Sequence, residues 1–217
     1  MSGEPPRSEH RWFAAGYNWA TTRRERMARD PYRERLVADL TGNVLEIGIG
    51  NGLNLRYYRN IAKLTAIEPD SYMRRHLAGR AETVFFPLEI LPSAAEALPF
   101  EDAAFDAVVT SLVLCSVADQ MRALSEIRRV LKPGGEYRFM EHVRDEGLGG
   151  AIQDAIRPAW SLCAGGCQVN RRTEAAIRDT GFTIDSIERY REGFLPHILG
   201  VASRRALAET AAQPGSR

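Results

Sequence analysis

The chain has 217 residues, 44% of them hydrophobic, and carries 29 Lys and Arg against 28 Asp and Glu for a net charge of +1. That length supports one sizeable core without demanding a second domain, and the near-neutral balance offers no global field for a polyanion, so DNA and RNA are not expected partners. Three cysteines are too few, and odd in number, for a secreted disulfide framework, which points to a reducing, cytoplasmic setting.

Residues 1–10 carry Pro, Glu and Arg where a secretory signal needs an apolar core. The run from Trp12 to Ala20 is too short and polar for the ~20 apolar residues of a spanning helix; Trp12, Phe13 and Trp19 suit a peripheral membrane contact at most. Residues 1–20 are expected to form an arm or lid, 21–210 the main domain, and 211–217 a disordered tail of Gln, Pro, Gly and Ser. Between Thr21 and Leu40, two short helices are predicted to meet at Asp30-Pro31, with Asp30 capping the second and Pro31 in its first position.

Strand-like runs then alternate with amphipathic ones. Strands are predicted at Asn43 to Ile47, Leu64 to Ile67, Thr83 to Leu88, Phe105 to Leu112 and Tyr137 to His142. Helices are predicted at Leu53 to Tyr58, Ser71 to Ala78 and Asp119 to Leu131, the last stopped by Lys132-Pro133-Gly134-Gly135. Further helices are expected at Ala151 to Leu162 and Arg172 to Asp179. Phe182 to Tyr190 and His197 to Ala202 follow as a hairpin turning at Gly193. The alternation implies a doubly wound α/β fold, a seven-stranded, mostly parallel sheet with an antiparallel last strand.

The strongest local signal is Val44-Leu45-Glu46-Ile47-Gly48-Ile49-Gly50-Asn51-Gly52, a buried strand running into alternating glycines. Glycine lets the backbone turn tightly and approach a ligand without an intervening side chain. The spacing is neither the dinucleotide fingerprint nor a phosphate loop, which needs Lys followed by Ser or Thr. Glu46, just before the glycines, would repel a pyrophosphate and attract a cationic amino group; a capping or solvated role is its alternative. About twenty residues on, Glu68 ends the next strand in Glu68-Pro69-Asp70, a spacing suited to a carboxylate that accepts from the vicinal hydroxyls of a ribose. A helix cap is the competing role there, for which Asp70 is the better candidate.

Together with Ala95-Glu96-Ala97-Leu98-Pro99-Phe100, Phe105-Asp106-Ala107-Val108-Val109 and Val130 to Gly135, these motifs resemble the class I methyltransferases that use S-adenosylmethionine. Leu112 to Val117, Phe139 to Val143, Pro158-Ala159-Trp160, Gly166-Cys167 and Pro196-His197-Ile198 are similar to the methyltransferase-like seven group, the thiol S-methyltransferases of animals. Those proteins begin with a hydrophobic anchor that this chain lacks, so an integral membrane anchor is not expected here.

The resemblance implies that Glu46, Gly48 and Gly50 hold the methionine end of S-adenosylmethionine, Glu68 with Pro69 the ribose, and Met73 the adenine face. Ala95 and Glu96 would reach the adenine edge, although many relatives have Asp where this chain has Ala94. Ser111 and Leu112 would flank the transferred methyl, and Tyr17 would close over the cofactor.

Methyl transfer from a sulfonium is an in-line displacement, and a thiol acceptor with pKa near ~8.5 needs little or no base. His142, after the fifth strand, is the best candidate general base, with a packed histidine beneath the sheet end as its alternative, and His197 is a weaker one. Trp160, Tyr190 and Phe194 are candidate pocket walls or core. Cys115 is taken as a small buried hydrophobe. Cys163 and Cys167 stand one helical turn apart with no second Cys or His pair at ligand spacing, so no metal is expected. The expected activity is methylation of a small-molecule acceptor, a thiol sulfur first. An N- or O-methyltransferase of a phospholipid headgroup or secondary metabolite, and a non-catalytic cofactor-binding module, are the alternatives.

Overall fold

The structure is a computed structural model and describes residues 11–27 and 30–204; residues 1–10 and 211–217, with the expectations placed on them, lie outside the described residues. Helix α1 (Arg11–Met27) leads to α2 (Pro31–Val37), and then come β1 (Thr41–Ile47), β2 (Asn60–Ile67), α3 (Ser71–Ala81), β3 (Leu88–Leu91) and β4 (Phe105–Ser111). They are followed by α4 (Gln120–Val130), β5 (Leu131–His142), α5 (Gly147–Cys163), α6 (Thr173–Asp179), β6 (Phe182–Glu192) and β7 (Leu195–Arg204).

The strands form one sheet in the order β3-β2-β1-β4-β5-β7-β6. The pairs from β3 through β5 are parallel and β7 is antiparallel, the mostly parallel sheet with an antiparallel last strand that was expected; β7 inserts between β5 and β6, an order the sequence did not specify. Alternate residues of the central strands face opposite sides. Leu45, Val108 and Phe139 pack with Leu124 and Ile127 of α4 and Ile177 of α6, while Val44, Val109 and Met140 pack with Leu36 of α2 and Leu77 of α3. Burial on both faces is why these strands are nearly continuous apolar runs.

Asp30 caps α2 by accepting from the backbone N–H groups of Tyr32 and Arg33, and Pro31 occupies the first turn, as predicted. Elsewhere the element limits differ. The preceding helix begins at Arg11 and runs through residue 20, where an arm had been expected to end. The segment expected as a helix from Leu53 to Tyr58 is a short 3-10 turn, Leu55–Tyr57, because it must bend at once into β2. The third strand lies at Leu88–Leu91 and not at Thr83 to Leu88: Pro87 withholds a ladder donor but accepts from Leu64 N. Strand β5 begins at Leu131, ahead of the expected Tyr137. Its Lys132 to Gly135 stretch is a bulge, with Phe105 opposite Leu131 and Ala107 opposite Glu136. Helix α5 starts four residues earlier than predicted and tolerates Pro158 within it.

Strand β7 lies tight between its neighbours: a Cβ on Gly200 would stand 2.4 Å from the ring of Phe139 and 2.6 Å from the Ser186 carbonyl oxygen. Gly200→Ala is therefore expected to lower stability by about 1 to 3 kcal/mol through overpacking. The effect is read as a reduced urea midpoint at constant m-value, and an unchanged midpoint would refute it.

Candidate functional site

The order of the strands reverses between β1 and β4, the switch point of the sheet, and ligands of doubly wound folds bind in the crevice outside the carboxyl ends of the strands at that point. Ile47, the last residue of β1, pairs with Ile67 of β2 and Thr110 of β4. That register delivers Glu46, the glycine loop, Glu68 and Ser111 to one end of the sheet.

Gly48 has φ 62° and Gly50 φ 59°, a region that costs other residues dearly. A Cβ on Gly48 would lie 2.6 Å from Val113, whereas one on Gly50 would meet only the Gly48 carbonyl oxygen at 4.0 Å. The first glycine thus seats the loop against the β4 end, and the second leaves bare backbone beside open space.

Both acids beside the loop are buried. Glu46 accepts from Asn54 Nδ2 at 2.8 Å and from the Tyr58 hydroxyl at 2.9 Å. Burial pushes its pKa up to about 7 against the opposing pull of these donors and of Arg33. Glu68 accepts from Gly50 N and Asp70 N, one on each oxygen, both at 2.9 Å; burial again raises its pKa. Asp70, not Glu68, caps α3, accepting from Tyr72 N and Met73 N. Each Glu68 oxygen keeps a lone pair for a hydroxyl.

Other anticipated residues fall into place less uniformly. Met73 and Ala95 are buried near this end, while Pro69 is exposed and its carbonyl accepts from Arg74. Glu96 is turned toward α4, its Oε1 accepting from Ala118 N at 2.7 Å and Asp119 N at 3.2 Å, so it braces that helix entry. Ser111 Oγ accepts from Arg33 at 2.9 Å. Leu112 holds φ 59°, a strained conformation of the kind that clusters at functional sites. Tyr17 is half-buried on α1, its ring 5.6 Å from that of Phe13.

Helix α1 lies against the loop: Asn51 Nδ2 donates to Asn18 and Thr21, and Arg80 joins the Asn51 carbonyl to Thr22. The Phe13 ring packs so closely on Gly165 that a Cβ there would come within 2.7 Å of it. The helix therefore touches the segments on both sides of the crevice.

At the β5 end, His142 Nε2 lies 3.0 Å from Cys167 Sγ, and Trp160 Nε1 donates to the same sulfur at 3.3 Å. Burial alone would depress the His142 pKa, but the Cys167 bond and the Glu141 charge outweigh it and hold it above the ordinary value. Cys167 is lowered by the Cys115 thiol donating to it, helped by His142 and Trp160, and Cys115 is correspondingly raised. Glu141 spends its oxygens on the amides of Val113 and Leu114, and burial lifts its pKa to about 7. Tyr190 stacks between Tyr32 and His197, and Trp160 meets Phe194 edge-on.

Sequence reasoning missed Arg33, Asn54 and Tyr58, the partners around Glu46. It also paired Cys167 with Cys163, which is exposed and outside this group. No spacing in the chain links residues 115, 142 and 167; only the topology does.

Residues 45–139 match the family model described as a methyltransferase domain. The chain is 33% identical to thiol S-methyltransferase TMT1A of Homo sapiens over 170 residues, 74% of this chain and 70% of that one. This chain belongs to the S-adenosylmethionine-dependent methyltransferases. Among solved structures, the methyltransferase of the Haloferax volcanii Trm112 activator complex superposes with a TM-score of 0.68 at 19% identity, over 90% of this chain and 96% of that one. Geranyl diphosphate C-methyltransferase from Streptomyces coelicolor, solved with S-adenosyl-L-homocysteine, superposes at 0.65 and 15% identity, over 93% and 86%. At such identities these two speak for the fold.

The residues present suit the cofactor: bare backbone at Gly50, an acid with lone pairs left for vicinal hydroxyls, and a second acid for an ammonium. Two outcomes are expected for this methyltransferase. Glu68→Ala should weaken S-adenosylmethionine binding by about 1 to 3 kcal/mol in calorimetric titration, from lost charge-assisted hydrogen bonds; unchanged affinity would remove Glu68 from the site. Because the Glu46 pKa is raised from 4.5 to about 7 on folding, its stabilising contribution is full below the unfolded value and is lost as pH rises toward 7. The wild type should therefore lose roughly 3 kcal/mol more stability between pH 5 and pH 8 than Glu46→Gln does, and equal pH slopes in urea melts would contradict this.

Proposed function

We propose that this methyltransferase acts on the sulfur of a small-molecule thiol. The observation that carries the reading is the chemistry at the carboxyl ends of β4 and β5. Beyond the strained turn at Leu112 stand Cys115, Cys167 and His142, while Glu141, the acid at that end, is committed to backbone amides. An alcohol acceptor would call for a strong base there, whereas a thiol is already a few per cent thiolate near neutral pH. The name of the human relative agrees with this acceptor class.

S-adenosylmethionine, when bound, supplies a methyl group on a sulfonium. The chain's own contribution is position and exclusion of water. In this reading Glu46, with the bare backbone of Gly48 and Gly50, holds the methionine end, and Arg33, bonded to Asn54 and Ser111, offers the cation for its carboxylate. Glu68 and Pro69 take the ribose, and Met73 and Ala95 form the adenine side, with Glu96 next to them holding the entry of α4 through Ala118 N and Asp119 N. Ser111 and Leu112 border the path of the methyl, and Tyr17 on α1 closes over it. His142, whose Nδ1 has no partner among the described residues, accepts the proton of the incoming thiol.

The test is a mass-spectrometric screen of the purified protein with S-adenosylmethionine and matched thiols, alcohols and amines near neutral pH. Methyl thioethers should dominate the products. A panel in which amines or alcohols are methylated and thiols are not would overturn the acceptor assignment.

A further inference from the structure

Cys115 Sγ, His142 and Cys167 Sγ offer donor atoms that all lie within 4.8 Å of one another, and all three residues are buried. They come from three places in the chain: the loop after β4, the end of β5, and the stretch between α5 and α6. Backbone bonds clamp those segments together. Gln168 N donates to the Cys115 carbonyl at 2.9 Å, and Arg144 N donates to the Arg171 carbonyl at 2.9 Å. The Arg171 guanidinium spans the Leu114 and Val117 carbonyls. Gln153 Nε2 ties the Val143 and Val169 carbonyls at 3.1 and 3.2 Å. Each donor is thus positioned by a scaffold that does not depend on the other two, which is what a preorganised ligand set requires.

We infer that Cys115, His142 and Cys167 form a binding site for Zn2+. Tetrahedral zinc with Zn–S about 2.3 Å and Zn–N about 2.0–2.1 Å places neighbouring donors about 3.5–3.8 Å apart. The observed cluster reaches that spacing with shifts of about 1 Å or less. Two thiolates and an imidazole are a soft to borderline set that selects zinc over magnesium or calcium. The two thiolate charges also neutralise the cation in a buried place, where a net charge would be costly. Outer contacts of the kind that orient metal ligands are in place, with Trp160 Nε1 on Cys167 and the Ser116 hydroxyl 3.4 Å from Cys115 Sγ.

Three protein ligands leave zinc a fourth position, the pattern of sites that act on a bound molecule. Resting on the thiol reading above, the acceptor's sulfur fills that position: its S–H proton passes to solvent as the Zn–S bond forms, and ionisation of the acceptor moves from the imidazole to the cation.

The experiment uses the full chain purified with a phosphine reductant and titrated anaerobically with Co2+ and then Zn2+. One equivalent of Co2+ should give thiolate-to-cobalt charge-transfer absorption with tetrahedral d–d bands, and Zn2+ should abolish both. Cys163→Ser, which removes the exposed thiol outside the cluster, should keep the spectrum. Cys115→Ser and Cys167→Ser should lose it while still binding S-adenosylmethionine in calorimetry, which shows them folded. Absence of the bands in the wild type, or their persistence in Cys115→Ser or Cys167→Ser, overturns the site. Adding 2-mercaptoethanol to the cobalt protein should strengthen the charge-transfer band as a third thiolate joins. A band that stays constant removes the fourth-ligand clause and leaves the three-ligand site standing. Methylated thiols from a protein that binds no metal would sink the site and keep the acceptor reading, and metal binding without thiol products would do the reverse.

Discussion

The architecture depends on two parallel strands, β1 and β4, that are buried on both faces and whose chains depart in opposite directions. Burial on both faces forces every polar group of this region to the strand ends. The residues that leave the sheet there must satisfy their backbone amides locally. Glu68 does so for Gly50 and Asp70, and Glu141 does so for Val113 and Leu114. The same carboxylates that order the loops set the electrostatics of the crevice, so the scaffold and the site are one hydrogen-bond system.

A row of buried acids has a cost that the surrounding helices offset. Glu46, Glu68 and Glu141 are all held above their ordinary pKa chiefly by desolvation. Arg33 comes from α2, Asn54 and Tyr58 from the turn after the glycine loop, and together they surround Glu46. A ligand that brings a positive charge into this region would relieve the penalty, which is a physical reason for such a site to prefer an ammonium and a sulfonium over a phosphate.

Much of the fold was legible because it is periodic. The runs at Val44, Leu64 and Val108 are nearly continuous apolar stretches, and Asp30-Pro31 marks its helix start chemically. What was illegible came from constraints that periodicity does not encode. The stretch before β3 resembles a strand in composition, yet Pro87 cannot donate to a ladder. Lys132 to Gly135 does follow the stop of α4 at Val130, but β5 already begins at Leu131 and absorbs the stretch as a bulge. At the site, Glu46 and Glu68 were visible because each stands at a strand end beside glycine or proline. Arg33 was not, since an arginine in a charged amphipathic helix looks the same whether it faces water or the crevice. The Cys115, His142 and Cys167 group was hidden for a different reason, since its members are far apart in the chain and only the β4, β5 and α5 to α6 segments bring them together.

Helix α1 bears on how quickly the molecule can cycle. Among its described side chains only Ala14 is fully buried, and its grip on the glycine loop is made of a few amide and hydroxyl bonds through Asn51 and Arg80. Such bonds are each worth little net of water, so detachment of the helix is a low-energy local opening of the kind that admits ligands. In the proposed reading, where Tyr17 of this helix closes over the cofactor, the spent nucleoside leaves only when the helix lifts, and the rate of that opening becomes a ceiling on turnover set by residues remote from the methyl.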